Sequence, residues 1–241
     1  MFRDWRPENF TLTGTGYFNM NSGFLISILI PTKDEPLIQN LVDRINKTIR
    51  QKHEIIIIDK SRRKPKIRGA AVLRQESDGL GNAVLEGFAK TRGNIIAVMD
   101  GDGSHDPDDL KKMLGKMPKY DIAIGSKLVP GGRTEDSFSR RVVTRVTNSV
   151  ARMILGLDIK DLMTGFIVVK RSVLEKIKLR PKGYKFVLEI IYKSKAKVAE
   201  VPITFRKREA GESKVGFNIK GFKEFFRIII LLFSLRLGVN K

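Results

Sequence analysis

Three short apolar runs, each stopping at a turn that carries carboxylates, constrain this chain most. Leu25–Ile30 ends at Pro31 and leads into Thr32-Lys33-Asp34-Glu35; Glu54–Ile58 ends at Asp59; Asn94–Met99 ends at Asp100-Gly101-Asp102. Runs this short suit strands buried on both faces. Between them, Pro36–Arg50 places Leu37, Leu41, Ile45 and Ile49 at helical spacing, and Asn82–Thr91 does the same with Ala83, Leu85, Phe88 and Ala89. Val72–Leu73 suits a short strand, Pro107–Gly115 a helix and Asp121–Gly125 a strand. Such alternation predicts an α/β fold, a mostly parallel sheet with helices on both faces. Ligands of such sheets sit at the carboxyl ends of the strands, so the acidic turns converge on one edge.

The second half reads differently. Ser139–Leu155 predicts a basic helix carrying Arg140, Arg141, Arg145 and Arg152. Phe166–Val169 and Val198–Phe205 predict strands, the latter at an edge because Pro202 interrupts it. Phe217–Leu237 predicts a helix whose Ile219, Phe222, Phe226, Ile229, Ile230 and Phe233 keep one face, with Lys220, Lys223 and Arg227 away from it. That pattern suits a helix lying in a membrane interface, a terminal helix packed on the domain, or the stub of further transmembrane helices. No repeat or low-complexity linker divides the chain. The division expected is an N-terminal extension of unassigned role (1–23), one α/β domain (24–215) and the amphipathic helix (216–241).

The 241 residues are enough for one domain with a full core. Without cysteine, disulfides and zinc–thiolate sites are excluded. The net charge of +20 attracts polyanions: nucleic acid, anionic lipid headgroups or phosphorylated substrates. No recognised nucleic-acid reader motif is present, and aromatics are not interleaved with the basic runs as single-strand platforms require, so no nucleic-acid partner is expected. The longest apolar run, Ile228–Leu235, is far short of the roughly 20 residues of a membrane span.

Asp100-Gly101-Asp102 puts two carboxylates at the end of a strand, with Gly101 permitting close approach of a phosphate. Oxygen ligands without Cys or His suit a hard cation, Mg²⁺ or Mn²⁺, that neutralises a diphosphate leaving group. His105 is open to three readings: ligand, hydrogen-bond partner, or core histidine.

Several ordered motifs carry a family resemblance. Ile28-Leu29-Ile30-Pro31-Thr32-Lys33-Asp34-Glu35 resembles the first strand and nucleotide loop of inverting glycosyltransferases with the GT-A fold, a Rossmann-like, mostly parallel mixed sheet flanked by helices. Gly79-Leu80-Gly81-Asn82-Ala83 resembles their helix under the nucleotide, and Asp100-Gly101-Asp102-Gly103-Ser104-His105-Asp106-Pro107 their metal-binding aspartate motif. Ile124-Gly125-Ser126-Lys127, Thr164-Gly165-Phe166 and Gly211-Glu212-Ser213-Lys214 resemble later signatures of dolichyl-phosphate mannose synthases and polyprenyl-phosphate glycosyltransferases. The resemblance implies that Pro31, Thr32, Glu35, Asp59 and Gly81 line the nucleotide, together with Asp100, Gly101 and Asp102. It implies that Asp100, Asp102 and Ser104 hold Mg²⁺ or Mn²⁺. Lys127, Arg140, Thr144, Arg208 and Lys214 would receive the acceptor phosphate. It further implies GDP-mannose as donor, UDP-glucose next, and a dolichyl or polyprenyl phosphate acceptor at an anionic membrane surface, on its cytoplasmic face.

Three departures stand out. Lys33-Asp34 replaces an aromatic and an Asn, Ser104 replaces a Gln, and Lys60 follows Asp59 where relatives often have a second acidic residue. A phosphate acceptor is already largely dianionic at neutral pH, its second pKa being about 6, so it needs cations more than a base. Asp161 would be the base if the acceptor were instead a carbohydrate hydroxyl; otherwise it orients an arginine or the donor sugar. A catalytically weak scaffold is the remaining rival, against which the retained Asp100 and Asp102 stand.

Overall fold

The computed structural model describes residues 24–180, 185–207 and 219–238, the last stretch with side chains from Phe226 onward. The extension 1–23, the Gly211–Lys214 motif, Arg208, Lys214 and the side chains of Ile219, Lys220, Phe222 and Lys223 lie outside the described residues.

The chain runs β1 (Ile26–Thr32), α1 (Ile38–Thr48), β2 (His53–Asp59), β3 (Ala71–Arg74), α2 (Leu80–Lys90), β4 (Ile95–Val98), α3 (Pro107–Leu114) and β5 (Ile122–Ser126). It continues through β6 (Arg133–Thr134), α4 (Phe138–Leu155), β7 (Ile167–Lys170), α5 (Arg171–Leu174), α6 (Phe186–Ser194), β8 (Val198–Pro202), β9 (Thr204–Phe205) and α7 (Ile219–Arg236). Each predicted strand and helix forms, with ends shifted by a few residues. β6, α5 and α6 were not predicted, since each is too short or too evenly apolar to show a period.

Seven strands form one sheet in the order β3-β2-β1-β4-β7-β5-β8. β1 pairs in parallel with β2 and β4, whereas β7 runs antiparallel between β4 and β5. Because β7 is reversed, its N-terminal approach, Thr164-Gly165-Phe166, reaches the same edge as the C-terminal ends of β1, β2, β4 and β5. The chain leaves β1 toward β2 on one side and returns to β4 on the other, which opens a crevice at that edge. β8 is one of the sheet's two edge strands, and there Pro202 needs no ladder donor on its open side. Beyond Ile203 the chain leaves this sheet, and β9 pairs with β6 instead.

The period-2 alternation of β1 feeds two cores. Ile26, Ile28 and Ile30 face α1 and α3, joining Leu41, Ile45, Leu110 and Met113. Leu29 faces the other way, toward Val84 of α2, Ala151 of α4, Ile190 of α6 and Leu232 of α7. α7 turns Ile228, Leu231, Leu232 and Leu235 into that core and leaves Phe226, Ile230, Phe233 and Leu237 exposed. Of the face expected from sequence, Phe226, Ile230 and Phe233 point outward and Ile229 packs partly against the core. The helix is apolar on two sides, which a single-face reading could not separate.

Gly93 shows how tightly the strand ends are set. A Cβ there would stand 2.6 Å from both the Leu25 carbonyl oxygen and the Ser27 amide nitrogen. Gly93→Ala should therefore lower unfolding stability by about 1–3 kcal/mol, as overpacking against backbone does, measured by urea denaturation.

Candidate active site

The loop after β4 is built to hold its carboxylates in place. Asp106 caps α3 by accepting from the Asp108 amide at 2.9 Å, with Pro107 at the first helical position. Arg44 of α1 (3.0 Å) and Arg206, just after β9, both bind the Asp106 carboxylate. Gly101 is dictated by crowding, since a Cβ there would lie 2.8 Å from Thr32 Cγ2. Asp102 Oδ1 accepts from the Ser104 amide (3.1 Å) and hydroxyl (2.6 Å).

His105 is fully buried, stacked on Phe166 with centroids 4.4 Å apart, and meets Phe205 edge-on at 5.6 Å. Its Nδ1 accepts the Asp100 amide hydrogen at 3.0 Å. The ring proton therefore sits on Nε2, which faces Asp100 Oδ2 at 3.8 Å. Burial holds the imidazole pKa below its ordinary value, against the pull of the Asp100 and Asp102 carboxylates. Of the three readings, the geometry makes His105 a neutral core histidine that orients Asp100.

Asp100 remains partly exposed. Gly165 opposes it, and a Cβ on that glycine would be 3.8 Å from an Asp100 carboxylate oxygen, so the bare backbone leaves room above the carboxylate. Hard oxygens in an open setting fit Mg²⁺ or Mn²⁺. Among the described residues no group of three or more His, Cys, Asp or Glu side chains is placed to hold a metal ion. The buried Ser104 hydroxyl gives its proton to Asp102 and keeps its lone pairs.

At the ends of β1 and β2, Asp59 is 0% exposed. Its carboxylate accepts from Thr32 Oγ1 (3.1 Å), Ser61 Oγ (2.5 Å) and the Ser61 amide (3.2 Å), with Arg74 at 3.7 Å. Asp59 thus ties together the loops that would line a nucleotide. Asp34 takes a left-handed backbone, φ 55°, and donates its amide to Ser61 Oγ at 2.7 Å. That conformation is one Asn and Asp tolerate, which accounts for Asp in a place where Asn is usual. Lys60 binds the Glu76 and Ser77 carbonyls and pairs with Asp78 at 3.1 Å, bracing the approach to α2, where Gly81 lies buried.

A second group lies at the ends of β5 and β7. Lys127 Nζ sits 4.3 Å over the Phe205 ring and 2.9 Å from Asp136 Oδ2. Asp136 also receives Arg140 at 3.2 Å. Thr144 follows one turn after Arg140 on α4, where it is half-buried and its carbonyl accepts from Asn148 Nδ2 at 2.9 Å. Asp161 is 1% exposed; its Oδ2 accepts the Lys127 amide at 3.1 Å, and its Oδ1 is buried with no hydrogen-bond partner. Burial pushes the Asp161 carboxyl above the ordinary value, with Lys127 opposing. Phe205 thus touches both His105 beneath the aspartates and Lys127 of the cation pair. Sequence reasoning missed Phe205, Asp136, Asp106 and Arg206; only the preference of Asp for helix starts hinted at Asp106.

With the geometry established, similarity to known proteins is informative. The model of the family described as glycosyl transferase family 2 matches residues 27–178. A dolichol-phosphate mannosyltransferase of Pyrococcus furiosus is 34% identical over 79% of this chain and 59% of its own length. The chain thus spans less than two thirds of that relative. A polyprenol monophosphomannose synthase of Mycolicibacterium smegmatis is 35% identical over 80% of this chain and 82% of its own length. An undecaprenyl-phosphate mannosyltransferase of Micrococcus luteus is 35% identical over 61% and 65%, respectively. Crystal structures of glucosyl-3-phosphoglycerate synthase from Mycobacterium tuberculosis, one in complex with Mn²⁺ and UDP, superpose with TM-score 0.67 at 20% identity, over 90% of this chain and 81% of that one. They confirm the GT-A-like α/β fold.

Two expectations follow from the site. His105→Phe keeps the ring stack but leaves the Asp100 amide unpaired; Mn²⁺ affinity in the presence of a nucleoside diphosphate should fall by about tenfold, the scale of lost outer-sphere support, read by calorimetry. Asp161 has a raised folded pKa, so its contribution favours folding below the ordinary carboxylate range and is lost as pH rises through the folded value. Asp161→Asn, which can still accept the Lys127 amide, should match the parent protein near pH 4 and gain on it by pH 7.5 in paired urea titrations.

Proposed function

The chain belongs to glycosyl transferase family 2, and on that premise we propose that it transfers a hexose from a nucleoside-diphosphate sugar to a dolichyl or polyprenyl phosphate. Mannose is the favoured sugar and GDP-mannose the favoured donor, ahead of UDP-glucose; transfer inverts the anomeric carbon, at the cytoplasmic face of a membrane. The observation that carries this reading is the Lys127–Arg140 cation pair, set at the sheet edge that also presents Asp100 and Asp102. The names of the three relatives, all polyprenol or dolichol mannosyl enzymes, support the acceptor and the sugar. GDP rests on the family resemblance alone.

In this reading Pro31, Thr32, Glu35 and Gly81 line the nucleotide, and Asp59 holds the first two loops in register. Asp100 and Asp102 hold a divalent cation, supported by Ser104 and His105, and that cation would neutralise the departing diphosphate. Lys127 and Arg140 grip the acceptor phosphate with Thr144 beside them, and the family resemblance adds Arg208 and Lys214 as further phosphate-binding residues. An acceptor phosphate oxygen then bonds to the anomeric carbon as the bond from that carbon to the diphosphate oxygen breaks. A dianionic phosphate gives up no proton in this step, so no general base is needed. The burial of Asp161 behind the Lys127 amide supports an orienting role.

An exposed apolar stripe supports membrane contact. Phe138, Val142, Val146 and Met153 of α4 are exposed, as are Phe226, Ile230 and Phe233 of α7 and Leu237 just after it, and the two helices pack against one another. Arg141 and Arg145 lie exposed along the α4 stripe. Apolar side chains flanked by arginines suit a surface of anionic lipid. Among the described residues no helix is long and apolar enough to cross a membrane.

The test is transfer of label from GDP-mannose and UDP-glucose, with Mg²⁺ or Mn²⁺, to a short polyprenyl phosphate and to free polyprenol. Label should move from GDP-mannose to the phosphate only, and Asp102→Ala should cut the rate at least about a hundredfold, the scale of lost metal stabilisation. Binding of nucleotide-sugar with no transfer to the phosphate would overturn the acceptor and turn attention to carbohydrate hydroxyls, with Asp161 as base.

A further inference from the structure

Lys127 and Arg140 stand 13 positions apart on different elements, the end of β5 and the first turn of α4. One carboxylate joins them. Asp136 Oδ2 accepts from Lys127 Nζ and Thr134 Oγ1, each at 2.9 Å, while Oδ1 accepts from Arg140 Nη1 at 3.2 Å. The Asp136 amide donates to Thr134 Oγ1 at 3.1 Å, so the carboxylate is fixed by its own turn. Its side chain is 10% exposed, against 16% for Lys127 and 34% for Arg140. Burial opposes the charge of Asp136, but the hydrogen bond and charge of Lys127, with Thr134 and Arg140, hold the carboxyl below its ordinary range.

We infer that Asp136 is the resident counter-ion of the acceptor-phosphate site: it neutralises the cation pair while the site is empty, competes with phosphate for it, and so sets the affinity low enough for product to leave. The inference rests on the reading that Lys127 and Arg140 receive the acceptor phosphate. Two buried or half-buried cations left together without a counter-ion would repel and would be costly to desolvate. With Asp136 between them the three charges sum to +1, so the site is stable without ligand. Each cation still has donors to offer, since an ammonium carries three and a guanidinium five. An incoming phosphate therefore meets a field weaker by one charge than the cations alone would present. That field matters most for the turnover step: transfer converts a dianionic monoester into a monoanionic diester, and the weaker field lets the diester go.

A purely structural clamp and a competing counter-ion predict opposite signs. If Asp136 only held Lys127 and Arg140 in position, its neutralisation would loosen the pair and weaken phosphate binding. If it competes, Asp136→Asn removes the one carboxylate the two cations share, a phosphate takes its place, and binding tightens. Coulomb energy scales with ligand charge, so the dianion gains more than the monoanion.

The experiment titrates the full chain calorimetrically at pH 7.5 with methyl phosphate, a dianion, and with dimethyl phosphate, a monoanion. Asp136→Asn should bind methyl phosphate tighter by on the order of tenfold or more, with a smaller gain for dimethyl phosphate. It should also melt at a lower temperature than the parent protein in phosphate-free buffer, and recover when methyl phosphate is added. Asp136→Glu, which keeps the charge, should bind like the parent. With polyprenyl phosphate as acceptor, Asp136→Asn should lower both KM and kcat, because the diester leaves slowly. Asp136→Ser, which admits water into the vacated space, carries the same expectations should the amide variant fail to fold. Unchanged or weaker methyl phosphate binding in the neutral variants would overturn the inference, provided Arg140→Ala weakens that binding. If Arg140→Ala has no effect on methyl phosphate, the acceptor-site reading itself falls, and the role of Asp136 falls with it.

Discussion

The parallel pairing of β1 with β2 on one side and β4 on the other is the constraint on which the site depends. Ile26–Thr32 pairs with β2 along its whole length and with β4 over Ile26–Leu29, and it is covered on both faces, so it has little freedom to move. That register places Thr32 opposite Asp59 and Leu29 opposite Val98. The ends of three strands are thereby fixed in one plane, and loops only a few residues long inherit that precision. A shift of one residue would exchange the two cores, because Ile28 and Leu29 face opposite sides.

From this edge the site is held by polar groups that mostly serve other polar groups. Asp59 binds no open space; it binds Thr32, Ser61 and Arg74. Asp106 joins α1, α3 and the segment after β9, and His105 braces the Asp100 amide from beneath. Buried charges placed this way are each satisfied by several partners, the condition under which burial is tolerated. The carboxylates that stay open to a ligand rest on carboxylates and an imidazole that do not.

The reversed strand β7 and the small β6–β9 pair bring the second half of the chain to the same edge. β7 delivers Phe166 beneath His105, while β9 delivers Phe205 between His105 and Lys127. One aromatic ring thus connects the aspartate loop to the cation pair. The two halves of the site are thus packed against each other through the Phe205 ring.

Much of this was legible in the sequence, for a physical reason. Strands buried on both faces must be apolar throughout, and strand ends facing solvent must not be, so Leu25–Ile30, Glu54–Ile58 and Asn94–Met99 announced both the sheet and its acidic edge. The Asp100 and Asp102 turn was visible on the same grounds and the helix of Arg140 by its run of arginines, whereas Lys127 was marked by the family resemblance. What the sequence could not show is partnership at long range. Asp136 is one more acidic residue before a helix until folding sets it between Lys127 and Arg140. Phe205 is one more apolar residue until β9 leaves the main sheet and turns its ring over a lysine. The core-facing side of α7, Ile228, Leu231, Leu232 and Leu235, was hidden because a helix apolar on two sides has no single period to read. Local patterns reflect what each segment must bury, and the sequence determined that; which charge meets which is decided only when the tertiary structure brings distant segments into contact.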